Sequence, residues 1–446
     1  MKILYVIHAF PPYSRYGAEN YAFALAQQLN RAHEVFVFHR IADQSQQEYA
    51  TQERDYEGLR VCTINNTFRN VSGLAQTYRN ADIAEKFGAH LDAVRPDIVH
   101  FHHLTCLCTT CIEEAHRRGI PIVYTLHDFW LFCPRGQFLT RDLQICKRPE
   151  GRRCLLCNAN QLGIAPERTK EIYSWLPSPL EARGGFLRRF FMHKRAYRAL
   201  RREEGAVRLV KEREDHIRRM CGYVAAFHAP SHTMQKTAER IGIPGGKIFF
   251  SRYGLNSGQL DGFERKPSDG VRFGFLGSLI PSKGSHILIR AFRRVADRKA
   301  RLKIFGAPYE FEGYEDYHDR LRDIAAADSR IKLAGAMDNS RIAEVFAQID
   351  VLVVPSIWQE NMPLTIEEAV LTRTPLIVSD TGGMRERIDE VGGLKFRTGS
   401  VKDLAQKMSL LAGDGEMVRR LSPEPSRVKT VAEGADEILG LYERIK

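Results

Sequence analysis

Residues 356–369 read SIWQENMPLTIEEA, and the fold turns on them. Just ahead, Asp350 is followed by VLVVP, a β-branched run with the character of a strand buried on both faces. Just behind, helix formers continue toward Thr374-Pro375. Pro363 falls where a helix takes its first residue, because the N–H that proline lacks would be unpaired there anyway. Two carboxylates, Glu360 and Glu368, flank seven residues, which puts the first in a strand-to-helix loop and the second about a turn and a half into the helix. At ~1.5 Å rise per residue they stand roughly 10 Å apart, a span that suits the two ends of an elongated ligand. The loop after a strand's carboxyl end is where ligands bind in an open α/β sheet. Taken alone, the two glutamates also read as acids solvating a helix start.

Working backward from there, VRFGFLG at 271–277 is another strand, and a helix is expected over 285–295. Lys283 sits at the amino end of that helix, where free amides and the helix dipole favour an anion such as a diphosphate. An exposed lysine by itself is a solvated charge. Strands are expected at 301–306, 330–335 and 350–355, with a short helix across 338–348. Beyond the central stretch, PLIVSD at 375–380 leads into Gly382-Gly383, whose amides open a further helix and are candidates for a sugar or phosphate. Residues 428–445 are amphipathic through Val431, Ile438, Leu439 and Tyr442, with no strand to follow.

The first half repeats the scheme. A strand over 3–8 is followed by a loop with Pro11, Pro12 and Gly17, then by a helix with Ala18, Tyr21, Leu25 and Leu29 on one stripe. Strands are expected near 34–39, 60–64, 97–102, 120–127 and 222–231, the last of these closing this half, with helical stretches such as 81–94 and 115–118 between them. Apolar strands alternating with helices mean a parallel sheet covered on both faces. His127 ends one strand at its carboxyl edge. His8 stands at another strand end, and His100, His102 and His103, without a clear carboxylate partner, read as structural.

Glu360 and Glu368-Ala369, the stretch PLIVSD at 375–380, TGGMRE at 381–386 and FLGSLIPSKG at 275–284 together resemble the donor site of the retaining GT-B glycosyltransferases of family 4, the glycosyltransferase group 1 type. The resemblance covers most of the chain. It implies two facing Rossmann-like domains with a cleft between them: an acceptor domain over 1–258, a nucleotide-sugar domain over 259–427, and a helix over 428–446 that crosses back to the first. It implies a sugar moved from a nucleotide-diphosphate sugar with retention of configuration, without a catalytic metal, in bacterial polysaccharide or glycoconjugate synthesis. In that family the first Glu contacts hydroxyls of the transferred sugar, and the second holds the ribose. Carried onto this chain, His127, Lys283 and Glu360 are the catalytic candidates. Gly17, Ser278, Lys283, Asn361, Met362, Pro363, Leu364, Glu368, Gly382 and Gly383 are the donor-binding ones. At two places the chain departs from the pattern: one glycine, Gly17, stands where two are usual, and Ser278 stands where an Arg most often precedes the lysine.

Composition sets the remaining bounds. At 446 residues, 43% apolar and 27% charged, the chain is ordinary globular protein of about two domains. No apolar run reaches the ~18 residues of a membrane span, and the opening MKILYVIHAFPPY reads as a strand rather than a signal peptide. A cytoplasmic protein is expected, peripheral at the inner face of the membrane. Its net charge of +12 is concentrated: residues 183–220 hold 13 Lys/Arg against 5 Asp/Glu, with Phe186, Phe190, His193, Tyr197 and Leu200 on one helical face. Such a segment suits an anionic membrane, or it packs its stripe on the sheet with the arginines in water. Cys133, Cys146, Cys154 and Cys157, separated by twelve, seven and two residues, have spacing for a structural zinc site within an insertion over 133–157. The alternative is four free thiols. The expected acceptor is a glycan or a lipid-linked one. Nucleic acid is the less favoured acceptor, and a non-catalytic sugar-nucleotide binder is the other reading.

Overall fold

The structure, a computed structural model, describes residues 1–146, 154–158, 204–260 and 263–446. They divide into two compact units. One comprises Met1–Pro230, Gln235–Ser251 and Gly434–Lys446, the other Ser231–Met234 and Arg252–Glu433.

The first unit is built on eight strands: β1 (Lys2–Ile7), β2 (Glu34–Ile41), β3 (Thr51–Tyr56), β4 (Leu59–Asn65), β5 (Ile98–Phe101), β6 (Ile122–Thr125), β7 (Ala226–Ala229) and β8 (Ile248–Phe250). Their order is β3-β4-β2-β1-β5-β6-β7-β8. All pairs are parallel except β3 with β4. Strands β5, β6 and β7 are buried at every position, as a sheet covered on both faces requires. Helix α1 (Gly17–Leu29) buries Tyr21, Ala22, Leu25, Ala26 and Leu29, one stripe at helical spacing. Helix α2 (Ala81–Val94) starts at Asn80, whose side chain accepts from the Ile83 amide at 3.1 Å. Helices α3 (Thr110–Arg117), α4 (Glu204–Tyr223) and α5 (His232–Ile241) follow, the last capped by the Ser231 hydroxyl accepting from the Met234 amide at 3.1 Å.

The second unit carries β9 (Arg272–Leu276), β10 (Arg301–Phe305), β11 (Ile331–Gly335), β12 (Val351–Val354), β13 (Leu376–Ser379) and β14 (Leu394–Phe396) in the order β11-β10-β9-β12-β13-β14. Every pair is parallel. Helices α6 (Ser285–Phe292), α7 (Leu364–Leu371) and α8 (Gly382–Val391) follow β9, β12 and β13. Leu352, Val354, Ile366, Ala369, Val370, Met384 and Ile388 pack in one buried cluster, so strand β12 and the two helices after it share a core. Each such large side chain stabilises the fold by ~1.5–3 kcal/mol. The terminal helix α9 (Val431–Ile445) turns Ile438 and Tyr442 inward. There the Tyr442 hydroxyl meets His100 Nδ1 at 2.6 Å and the Tyr5 hydroxyl at 3.3 Å.

Both sheets have a switch point, between β1 and β5 in the first and between β9 and β12 in the second. Connections leave those neighbours in opposite directions, and the gap at their carboxyl ends is where such sheets bind ligands.

Several boundaries differ from expectation. The strand expected over 222–231 is not the last of its sheet, since Ile248–Phe250 pairs beyond it. Strand β3 gave no sequence signal because its TQERDY is polar throughout and its side chains are exposed or half-buried. It is placed by the turn at Glu57-Gly58, both with positive φ, which folds it back on β4. The 338–348 helix is a 3₁₀ turn, Asn339–Arg341, followed by a helix over Ile342–Phe346. Helix α6 ends at Phe292 and α3 begins at Thr110.

Candidate functional site

In the second unit the site gathers where β9 and β12 end. After β9 the chain makes a short turn, Pro281–Lys283, and Gly284, with φ of 75°, stands just before α6. A β-carbon at Gly284 would lie 2.0 Å from the Pro355 carbonyl oxygen, so only glycine lets the two loops meet. That approach sets Lys283 against the loop after β12. Its Nζ donates to Glu360 Oε1 at 2.6 Å and lies 5.7 Å from the centre of the Trp358 ring. The same Oε1 accepts from the Ser356 hydroxyl at 2.6 Å and from Trp358 Nε1 at 3.1 Å. Glu360 is only 5% exposed, and three donors on one oxygen compensate for burying its charge.

Glu368 is the fifth residue of α7 and is also buried, and burial pushes its carboxyl up to about 7. Pro363 is the residue before α7 and Leu364 opens it. Asn361 and Met362 are buried, and Met362 Sδ accepts from the Tyr253 amide at 3.3 Å. Gly382 and Gly383 open α8, but the Gly383 amide donates to the Glu360 carbonyl at 2.7 Å. A β-carbon there would sit 1.5 Å from the Asn361 carbonyl oxygen. Gly383 thus holds the glutamate loop in place with the amide that was expected to face a ligand. Ser278 follows β9, and its carbonyl accepts from the Ile280 amide at 3.0 Å. Behind the loop, Arg387 of α8 grips Glu367 of α7 through two 2.7 Å bonds, both side chains buried. Ser356, Trp358, Glu367 and Arg387 were not singled out from sequence. The first three lie within the quoted stretch, but only the loop's curl aims Ser356 and Trp358 at Glu360.

In the first unit a cavity of about 330 Å³ opens at the carboxyl ends of β1, β5 and β6, lined by His8, Tyr16, Ala18, Glu19, His103, Thr105, His127, Asp128, Trp130, Pro134, Arg135 and Gly136. His103, expected to be structural and without a carboxylate partner, instead meets Asp128 Oδ1 at 3.0 Å. The pairing links the ends of β5 and β6, residues distant in sequence, so no spacing rule shows it. The Trp130 amide donates to the same oxygen at 2.8 Å. His8 Nε2 lies 3.3 Å from Glu19 Oε1, which also accepts from the Ser14 hydroxyl at 2.8 Å. Burial works to raise the Glu19 carboxyl, but His8 and Ser14 outweigh it and hold it below the usual range. His127 Nε2 lies 3.1 Å from His102 Nδ1, and burial, reinforced by His102 and His103, holds its pKa well below the ordinary value. At neutral pH His127 is therefore an uncharged imidazole. Gly17 begins α1 exposed, with open space where a side chain would stand. His127 thus belongs to the first unit's cavity, Lys283 and Glu360 to the second unit's loop pair.

None of the four expected zinc ligands is in a disulfide. Cys133 sits in a turn, Cys146 pairs its amide with the Phe138 carbonyl at 2.7 Å, and Cys154–Cys157 is a single helical turn. Burial pushes the Cys157 thiol up to about 11, Arg135 opposing and the nearby Cys133 and Cys146 adding to the rise. The thiols are neighbours, yet among the described residues they do not form a group with all ligand atoms within 4.8 Å. As arranged they do not fit a tetrahedral four-thiolate site, and no step is routed through a metal. The aromatic stripe over 186–200, and residues 183–203 as a whole, lie outside the described residues. Of the rest of the basic segment, Arg213 faces inward: it is 3% exposed and donates to the Trp130 carbonyl at 2.6 Å. No described helix is long and apolar enough to cross a membrane.

Comparison with known proteins bears on both units. Residues 270–414 match the family described as Glycosyl transferases group 1, and residues 16–160 match Glycosyltransferase Family 4. A D-inositol 3-phosphate glycosyltransferase of Nocardia farcinica is 30% identical over 155 residues, covering 33% of this chain and 34% of that one. An N,N'-diacetylbacillosaminyl-diphospho-undecaprenol alpha-1,3-N-acetylgalactosaminyltransferase of Campylobacter jejuni is 31% identical over 110 residues, 24% of this chain and 29% of that one. The chain thus spans about a third of the length of the curated relatives it matches. Anabaena HepE, solved in complex with UDP and glucose, superposes with a TM-score of 0.65 at 15% identity over 100% of both chains. The fold is of the GT-B type, two α/β domains each with a parallel sheet.

Proposed function

Because the chain carries domains of two glycosyltransferase families, we propose that it is a glycosyltransferase that moves a hexose-type sugar from a nucleotide-diphosphate sugar to a glycan acceptor with retention of configuration. The observation that carries the reading is the Lys283–Glu360 pair at the amino end of α6. Lysine has three N–H donors, and Glu360 occupies one. The others, with the helix dipole, suit the oxygens of a departing diphosphate, where charge grows as the anomeric bond breaks. Glu360, held by Lys283, is an acceptor for the hydroxyls of the transferred sugar. Glu368 takes the two ribose hydroxyls and so positions the whole donor. In the first unit the histidine-lined cavity takes the acceptor, with neutral His127 donating or accepting a hydrogen bond to the sugar rather than carrying charge.

A lipid-linked acceptor at the inner membrane face, within bacterial polysaccharide or glycoconjugate synthesis, fits the basic 183–220 stretch and the undecaprenol-linked substrate named for the Campylobacter relative. A HepE structure in complex with UDP-glucose makes that the first donor to try. The test is a thermal-shift panel of UDP-, GDP-, ADP- and TDP-sugars on the wild type and on Glu368→Ala. Ligand at ~100 times its dissociation constant adds ~2.7 kcal/mol, a clear shift. One nucleotide should shift the wild type and leave Glu368→Ala unmoved. No shift with any of the four refutes the reading.

A further inference from the structure

We propose that Glu53, Cys62 and His90 form a divalent-metal site of the zinc class on the first unit, apart from the histidine-lined cavity. Glu53 of β3 and Cys62 of β4 are directly opposed in the antiparallel ladder, so their side chains leave the sheet on the same face. His90, on α2, comes up against that face. A carboxylate oxygen of Glu53, the Cys62 sulfur and a ring nitrogen of His90 all lie within 4.8 Å of one another.

The local hydrogen bonding does not account for this convergence. His90 is 9% exposed, and its Nε2 is buried with no hydrogen-bond partner. A buried, unpaired ring nitrogen is unusual in a folded protein. Its Nδ1 stands 3.8 Å from Glu53 Oε1, beyond hydrogen-bond length. The contact recorded for the Cys62 sulfur is to the Thr63 carbonyl at 3.9 Å, a weak one. Burial keeps His90 neutral, the form that ligates metals, although it also holds the Cys62 proton on, pushing that thiol up to about 12. A cation reverses that balance: the thiol proton leaves to solvent and the thiolate binds.

One nitrogen, one sulfur and one carboxylate oxygen suit zinc, and the thiolate disfavours magnesium and calcium. The three residues line a cavity of about 460 Å³ together with Arg54, Asp55 and Arg60, which leaves room for water as a fourth ligand. Bound there, the ion would tie the edge hairpin β3–β4 to α2.

The test uses the full chain freed of metal by chelator, titrated calorimetrically with zinc alone and, in parallel, spectroscopically with cobalt. Wild type should bind one equivalent more than Cys62→Ser, and the difference spectrum should carry a sulfur-to-cobalt band. Any metal held by the four-cysteine cluster is common to both proteins and cancels. Glu53→Ala changes an exposed strand residue. It should weaken that equivalent tenfold or more and remove the part of the zinc-induced rise in melting temperature that the site supplies. Equal stoichiometry in wild type and Cys62→Ser, or equal affinity in wild type and Glu53→Ala, overturns the proposal.

Discussion

At the strand ends of the first sheet, the groups after β1, β5 and β6 are histidines, two of them paired with carboxylates from elsewhere in the chain. At the strand ends of the second, the groups after β9 and β12 are a lysine and a glutamate joined to each other. Both sets stand where the strand order of their sheet reverses, so the architecture is the same and the chemistry is not. Imidazoles and paired carboxylates suit hydroxyl groups, which need both donors and acceptors. A lysine at a helix start suits phosphate, where the field does the work. One fold, used twice, thus presents two different chemistries at its strand ends.

The sharpest way to break the comparison is at the cation. Lys283→Ala should lower turnover by roughly 10²–10³-fold, the loss expected when a transition-state donor is removed. His127→Ala, which removes no charge, should cost less. Equal losses in single-turnover assays would mean that the second site has no special electrostatic role. Because the Lys283→Ala change also strands Glu360, the double change with Glu360→Gln should cost less than the sum of the two single ones.

Next in size is the buried carboxylate. Free glutamate ionises near 4.5 and Glu368 at about 7, so the folded state holds the extra proton and loses stability as pH rises through that window. Glu368→Gln should therefore be more stable than wild type at pH 8, by up to ~3 kcal/mol, and equal to it near pH 4.5. Chemical denaturation at the two pH values measures this. Wild-type donor affinity should run the other way, falling as pH drops below about 7, because the proposed ribose contact needs the ionised form.

The smallest expected effect sharpens the first site. Asp128→Asn keeps the shape but weakens the hold on His103. It should raise the acceptor KM about tenfold, ~1.4 kcal/mol, and leave the donor-induced thermal shift unchanged. A changed donor shift would show that the two sites are not chemically separate.

Much of this molecule was readable along the chain. VLVVP and FGFLG announce buried strands because a parallel sheet leaves no polar face to write into the pattern. Pro363 and the glycines mark helix starts because backbone sterics act locally. Strand β3 was not readable: its six polar residues have no periodicity, and it exists because a two-residue turn returns the chain to a neighbour. Nor was the zinc geometry readable, because spacing says which thiols can meet and not how closely.

Sequence alone determined the two α/β sheets, one glutamate in a loop and one in the helix after it, and the lysine at a helix start, all set by periodicity and by rules that reach only a few residues. Tertiary structure decided which groups face one another. Ser356, Trp358 and Lys283 converge on a single oxygen of Glu360, and His103 finds Asp128. Contacts such as the last join residues from the ends of different strands. Their distance is fixed by strand order and by glycine approaches such as Gly284 on Pro355, quantities that no local pattern encodes.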